Sequence, residues 1–136
     1  MLYMLDTNIC GYIIKNKPQY IKEKLKEIEQ QHEITLSSIV VSELLYGAKK
    51  KNSTKLIKLV DSFINNFTIH DFDEPAAKQY ATIRDDLESS GKIIGSSSLF
   101  IAAHAKALKA TLVTNNLREF QRVDALMLDN WISVCD

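Results

Sequence analysis

Short apolar runs alternate along this chain with longer stretches of helical period. Leu2 to Leu5 is a brief apolar run of the length of a buried strand. It spills into Asp6-Thr7-Asn8, a turn and helix-cap signature, which predicts a helix through Lys15. Pro18 opens a second helical stretch, where Ile21, Leu25 and Ile28 recur at intervals of four and three. Glu33 to Leu36 reads as a strand, and Ser37 and Ser38 offer caps to a helix running through Glu43 to about Ala48. Leu56, Leu59, Val60 and Phe63 mark another amphipathic helix, and Phe67 to His70 another strand. Asp73-Glu74-Pro75 combines cap, acid and proline at a helix start, with a stop expected near Gly91. Ser96-Ser97-Ser98 precedes a helix from Leu99 to Ala105 that is apolar on most sides. Thr111 to Thr114 reads as a strand followed by a polar loop through Arg118. Leu126 to Leu128 is a short last strand, with Trp131 as an anchor.

Strands separated by helices pair in parallel through crossovers, which predicts an α/β sandwich around a short parallel sheet. Ligand sites in such sheets form beyond the carboxyl ends of the strands. Asp6 lies at one such end, and Asn115 and Asn116 at another. The length of 136 residues suits one domain spanning 1–136. Equal numbers of basic and acidic residues, 17 each, exclude a wholly basic nucleic-acid binder but leave room for a local basic face. The two cysteines, Cys10 and Cys135, have neither zinc-ligand spacing nor a disulfide framework and read as incidental thiols. The first residues lack a basic leader, and no apolar run approaches the ~18 residues of a membrane span. A soluble, cytoplasmic protein with no membrane partner is expected.

Four regions carry candidate chemistry, and each has a plainer reading. The Asp6 carboxylate should emerge at the sheet edge, as an acid of a site or simply as a helix cap. Glu43 interrupts the apolar helix Ile39 to Gly47. A buried acid needs a cation or hydrogen-bond donors, so a metal or a Lys or Arg partner would answer it. The serines before Leu99 are ordinary caps, and His104 on the same helix reads as a hydrogen-bonded core histidine rather than a ligand. Thr114-Asn115-Asn116-Leu117-Arg118-Glu119 places polar groups where a phosphate can dock, or forms a capped turn.

Together, in this order, these regions resemble the PIN domain, specifically the VapC toxins of bacterial toxin–antitoxin pairs. The matching stretches are Leu5-Asp6-Thr7-Asn8, Ser42-Glu43-Leu44-Leu45-Tyr46-Gly47, Ile94-Gly95 through Ala105, and Thr114 through Phe120 with Arg122 and Asn130-Trp131. Each is weak alone. Four in sequence over nearly the whole chain are specific.

The resemblance implies a three-layer α/β/α sandwich and an endoribonuclease that uses Mg²⁺ or Mn²⁺. It makes Asp6 a direct metal ligand and Glu43 a ligand or the holder of a metal-bound water. Asn116 would offer a neutral amide oxygen, and Glu119 would orient water or brace the site. Thr7, Asn8, Thr114, Asn115 and Arg118 are its candidates for shaping the loops and meeting substrate. The departure is Ser98, where the family pattern carries an aspartate that is usually a main ligand. Serine can cap a helix but supplies no charge, and neither Ser96 nor Ser97 compensates. Two unit charges ~4 Å apart interact by about 4 kcal/mol at an effective dielectric of ~20. Losing a fraction of that costs orders of magnitude in rate. Weak or absent activity is therefore expected.

The same resemblance implies a small cognate antitoxin, a homodimer, and a structured RNA substrate, with initiator tRNA suggested by the nearest-looking subgroup. Leu44, Leu45 and Leu59 are the expected docking groove. Lysines cluster at Lys15 to Lys26, diluted by Glu23 and Glu27, and again at Lys49 to Lys58. Either set is an RNA-attracting face or a solvated helix surface. Three functions compete: an endoribonuclease toxin, a binding protein that has lost catalysis, and a phosphodiesterase acting on DNA. The short chain disfavours the last.

Overall fold

Every strand predicted from the apolar runs joins one sheet. The computed structural model describes residues 1–132, so Cys135 lies outside the described residues. The strands are Leu2–Leu5 (β1), Glu33–Ser37 (β2), Thr68–His70 (β3), Thr111–Val113 (β4) and Leu128–Asp129 (β5). They lie in the order β3-β2-β1-β4-β5, and every pair is parallel. The connections carry helices Thr7–Lys15 (α1), Gln19–Glu29 (α2), Ser38–Lys50 (α3), Thr54–Ile64 (α4), Glu74–Ser89 (α5), Ser96–Ala107 (α6) and Leu117–Phe120 (α7).

Chain order fixes the layers. From β1 the chain steps outward through β2 to β3, then crosses back over β1 to reach β4 and β5. Right-handed crossovers put helices on opposite faces when the direction of travel reverses. Accordingly α1 packs on α2, α3 and α4, while α5 pairs with α6. The result is the expected α/β/α sandwich. Met4, Leu5, Leu36, Leu112 and Val113 are fully buried between the layers. Burial on both faces explains why the central strands read as continuous apolar runs. Among the described residues, no helix is long and apolar enough to cross a membrane.

Two local expectations shift. The helix expected to begin at Leu99 starts at Ser96, with Gly95 as its cap residue and no side-chain cap bond. The serines therefore lie within its first turn instead of capping it. The polar loop after β4 contains the short helix α7, held because Phe120 is buried. The last strand begins at Leu128, not Leu126, because Ala125 adopts a left-handed conformation (φ 59°) and turns the chain before pairing starts.

His104 is a core histidine, as the apolar helix suggested. It is fully buried, its Nδ1 lies 2.7 Å from Ser37 Oγ, and Phe72 packs edge-on against its ring. Burial holds its pKa below the ordinary value.

Candidate active site

The strand order reverses direction of travel at β1, so the chain leaves β1 toward β2 and leaves β4 toward β5, in opposite directions across the sheet. That switch point leaves a crevice where side chains from several elements converge. Asp6 follows β1 directly and is anchored there, its backbone N–H donating to Val113 O at 3.0 Å. Its backbone is extended (φ −79°, ψ 172°), and its Oδ1 accepts from Ile9 N at 2.9 Å. Asp6 is thus a helix cap. It also lines a polar cleft of about 160 Å³ together with Thr7, Asn8, Glu43, Ser97, Ser98, Ile101, Asn116 and Phe120. The two readings of Asp6 are compatible, because one carboxylate oxygen caps while the group as a whole faces the cleft.

Asp6 is only 4% exposed. Burial raises its pKa above the ordinary 3.8, and the nearby negative charge of Glu43 adds to the rise. Hydrogen bonds from Thr114 and from the amides of Ile9 and Asn8 pull the other way. Two carboxylates therefore face one site. Glu43 projects from α3, and its Oε1 accepts from Thr7 Oγ1 at 2.5 Å. Glu43 is half-buried, not buried as the apolar helix suggested, so the Thr7 hydroxyl and solvent can satisfy its carboxylate; among the described residues no Lys or Arg forms an ion pair with it.

Ser98 reaches the cleft from the first turn of α6. Its hydroxyl donates to Glu119, which stands on α7. Glu119 also accepts from Gly95 N at 3.0 Å and from Asn116 Nδ2 at 3.2 Å. Desolvation would raise the Glu119 pKa, but the bonds from Ser98, Gly95 and Asn116 outweigh it and hold the carboxyl below its ordinary value. Glu119 thereby supplies from α7 the negative charge that the start of α6 lacks a side chain to provide.

The other candidates divide. Thr114 is fully buried beneath Asp6, and its Oγ1 also accepts from Asn116 N at 3.0 Å. Asn115 turns away and donates to Tyr12 OH at 3.0 Å. Arg118 is exposed and does not line the cleft. Ser97, Ile101 and Phe120 do line it. Sequence reasoning assigned none of these three to the site: Ile101 and Phe120 look like any core residue until the cleft beside them is known, and Ser97 carries no charge to single it out.

The expected docking groove needs correction. Leu44 is 8% exposed and points into the core, because it lies on the inward face of α3. A groove of about 370 Å³ does exist, but it runs between α1, α2 and α4 and is lined by Ile14, Leu25, Leu59, Phe63 and Phe67, among others. Of the expected leucines only Leu59 borders it.

A hard divalent cation is the group that this arrangement has to be measured against. The cleft offers oxygen ligands and no sulfur or imidazole: two carboxylates, the Thr7, Ser97 and Ser98 hydroxyls and the Asn8 and Asn116 amides. Mg²⁺ takes such donors and keeps several waters. Neutralising two facing acids would also offset the burial of Asp6. The set fits one cation with a large share of its shell left to water. Among the described residues, no three acidic, His or Cys side chains converge into a fuller cage.

The family model described as the PIN domain matches residues 3–126. The chain belongs to the PIN-domain family. Within this nuclease family its relatives are VapC proteins. Ribonuclease VapC2 of Rickettsia felis is 43% identical over 136 residues, covering 96% of this chain and 98% of that protein. The tRNA(fMet)-specific endonuclease VapC of Shigella flexneri is 36% identical over 130 residues, covering 95% and 97%. Among solved structures, VapBC2 from Rickettsia felis bound to a promoter DNA fragment superposes with a TM-score of 0.92 at 42% identity, covering 97% of this chain and 100% of that one. DNA-bound VapBC from Salmonella typhimurium gives 0.88 at 38% identity, with the same coverage. The chain is thus of the VapC ribonuclease type, the toxin half of toxin–antitoxin systems.

Proposed function

We propose that this PIN domain, residues 1–136, is an endoribonuclease dependent on Mg²⁺ or Mn²⁺ and attenuated by Ser98. The observation that carries the reading is the convergence of Asp6 and Glu43 in one polar cleft at the switch point of the sheet. Asp6 and Glu43 would hold the cation, with the Ser98 hydroxyl as a neutral donor. When bound, such an ion lowers the pKa of a water and neutralises charge developing on the phosphate. The chain's own residues prepare that cleft. Thr7 fixes the Glu43 carboxylate, and Thr114 and the amide of Ile9 fix Asp6. Glu119 orients Asn116 by taking its amide N–H, which leaves the amide oxygen to face a ligand. Thr7 and Asn8 shape the cleft mouth for RNA, Arg118 meets a phosphate outside it, and Asn115 braces the loop through Tyr12.

The Shigella flexneri relative's tRNA(fMet) specificity supports initiator tRNA as the substrate. The VapBC complexes support a small antitoxin as the partner. In this reading the antitoxin silences a homodimer of this chain in the cytoplasm. One observation favours a second reading, a binding protein without catalysis. The Glu119 carboxylate is already taken up by Gly95, Ser98 and Asn116, which leaves two acids for the cation.

The test compares this chain with Ser98→Asp on a tRNA mixture, with Mg²⁺ and with EDTA. Cleavage by the aspartate variant, far above that of the parent and abolished by EDTA, is the expected result. Equal EDTA-sensitive cleavage by both would show that Ser98 does not attenuate. No cleavage by either would favour the binding protein.

A further inference from the structure

A second cleft, of about 390 Å³, opens where α5, α6 and the segment after α7 meet. Three cations line it: Lys92, Lys106 and Arg122. So do two acids, Asp86 and Asp124. Among the described residues none of the three cations is in an ion pair. Arg122 spends Nη1 on the carbonyl of Ile93 at 2.8 Å, which anchors its guanidinium at the rim. These residues are scattered in sequence and come from three elements, so the patch exists only in the fold.

The two clefts have no lining residue in common, but short stretches of chain connect them. Lys92 precedes Gly95 by three residues, a span of at most about 10 Å. Gly95 begins the helix whose Ser97 and Ser98 line the polar cleft, and its N–H is bound by Glu119. Arg122 follows Glu119 by three residues. A strand whose phosphate lies in the polar cleft therefore has neighbouring phosphates within reach of this cationic rim. Asp86 and Asp124 stand exposed on the same cleft, so three cations against two acids leave it a net charge of +1, a weak attraction that adds to the hold of the neighbouring cleft on the same strand.

We infer that Lys92, Lys106 and Arg122 form a secondary binding track for the phosphodiester backbone of the RNA, flanking the cleavage cleft. This rests on the RNA-directed reading above. It predicts a salt-dependent contribution to binding that is separate from the chemistry of Asp6 and Glu43.

The test measures binding of a fluorescein-labelled RNA stem-loop by anisotropy, across a range of NaCl and with EDTA present to prevent cleavage. The variants are Lys92→Gln/Lys106→Gln and Lys92→Glu/Lys106→Glu, with Arg122 kept because it anchors the Ile93 segment. Lys78→Glu on α5, outside both lysine clusters and both clefts, is the control, and thermal unfolding checks the fold of each. The log–log salt slope should shrink by about 0.7 to 0.9 for each phosphate no longer neutralised, with weaker binding for the charge reversal than for the neutral pair. The Lys78 control should leave the slope unchanged. Unchanged affinity and slope in both Lys92/Lys106 variants would overturn the track and leave the RNA reading standing. So would an equal loss in the Lys78 control. If the unaltered chain fails to bind the stem-loop, the RNA reading falls and the track with it.

Discussion

Asp6 shows at the scale of one residue how a site acid strains the structure that holds it. Its folded pKa lies above its ordinary value, so the charged form is disfavoured in the fold. The stability it contributes is complete below the unfolded pKa, near 3.8, and is lost as pH rises through the higher folded value. Asp6→Asn keeps a good helix cap and removes the buried charge. The variant should melt higher than the parent at pH 7, and the difference should vanish as pH is lowered through the acid range; calorimetry at several pH values reads this. An Asp6→Asn variant no more stable than the parent at pH 7 would mean that burial does not penalise this carboxylate. Glu119 behaves oppositely. Three donors hold its charged form, so its contribution is present at neutral pH and fades as pH falls through its lowered value. Glu119→Ala removes the acceptor at the start of α6 and should cost about 1 kcal/mol, the usual scale of a lost helix cap. A urea midpoint unchanged at pH 7 would contradict that role.

Between elements, one buried bond joins the two layers. Ser37 ends β2, caps α3 through the Ile39 amide at 3.1 Å, and meets His104 of α6. It therefore couples the helix that carries Glu43 to the helix that carries Ser98. Ser37→Ala loses the cap and leaves His104 Nδ1 buried without a partner, which should cost roughly 2–3 kcal/mol. Equilibrium unfolding measures this. A loss under about 0.5 kcal/mol, the low end for a single hydrogen bond, would show that the two helices are positioned by apolar packing alone. His104 was legible as a core histidine because its helix is apolar on most sides. Its partner was not, since nothing local links Ser37 to a residue 67 positions away.

For the whole molecule, the parallel sheet and its reversal at β1 bring the site together, and a cation bound only by the folded state should stabilise that state. At a free concentration of about 100 times the dissociation constant the gain is about 2.7 kcal/mol. Mg²⁺ or Mn²⁺ should therefore raise the melting temperature of the parent modestly and that of Ser98→Asp further, and leave Asp6→Asn unmoved. Identical metal responses in all three would place cation binding elsewhere.

The apolar runs and helix starts in the sequence determined the five strands, most helix boundaries and the parallel α/β class, because burial on both faces imposes continuous apolar strands and amphipathic helices leave a 3.6-residue period. Four motifs, recognised in order, pointed to Asp6, Glu43, Ser98, Asn116 and Glu119 as candidates. Only the tertiary structure decided what each touches. It turned Asn115 to Tyr12 and left Arg118 outside the cleft. It sent Leu44 into the core and put Glu119 at the head of α6. It gathered Lys92, Lys106 and Arg122 into one rim. Periodicity reports which side of an element is buried. Which groups meet across elements depends on crossover handedness, strand order and packing, and none of these is written in any local stretch of the chain.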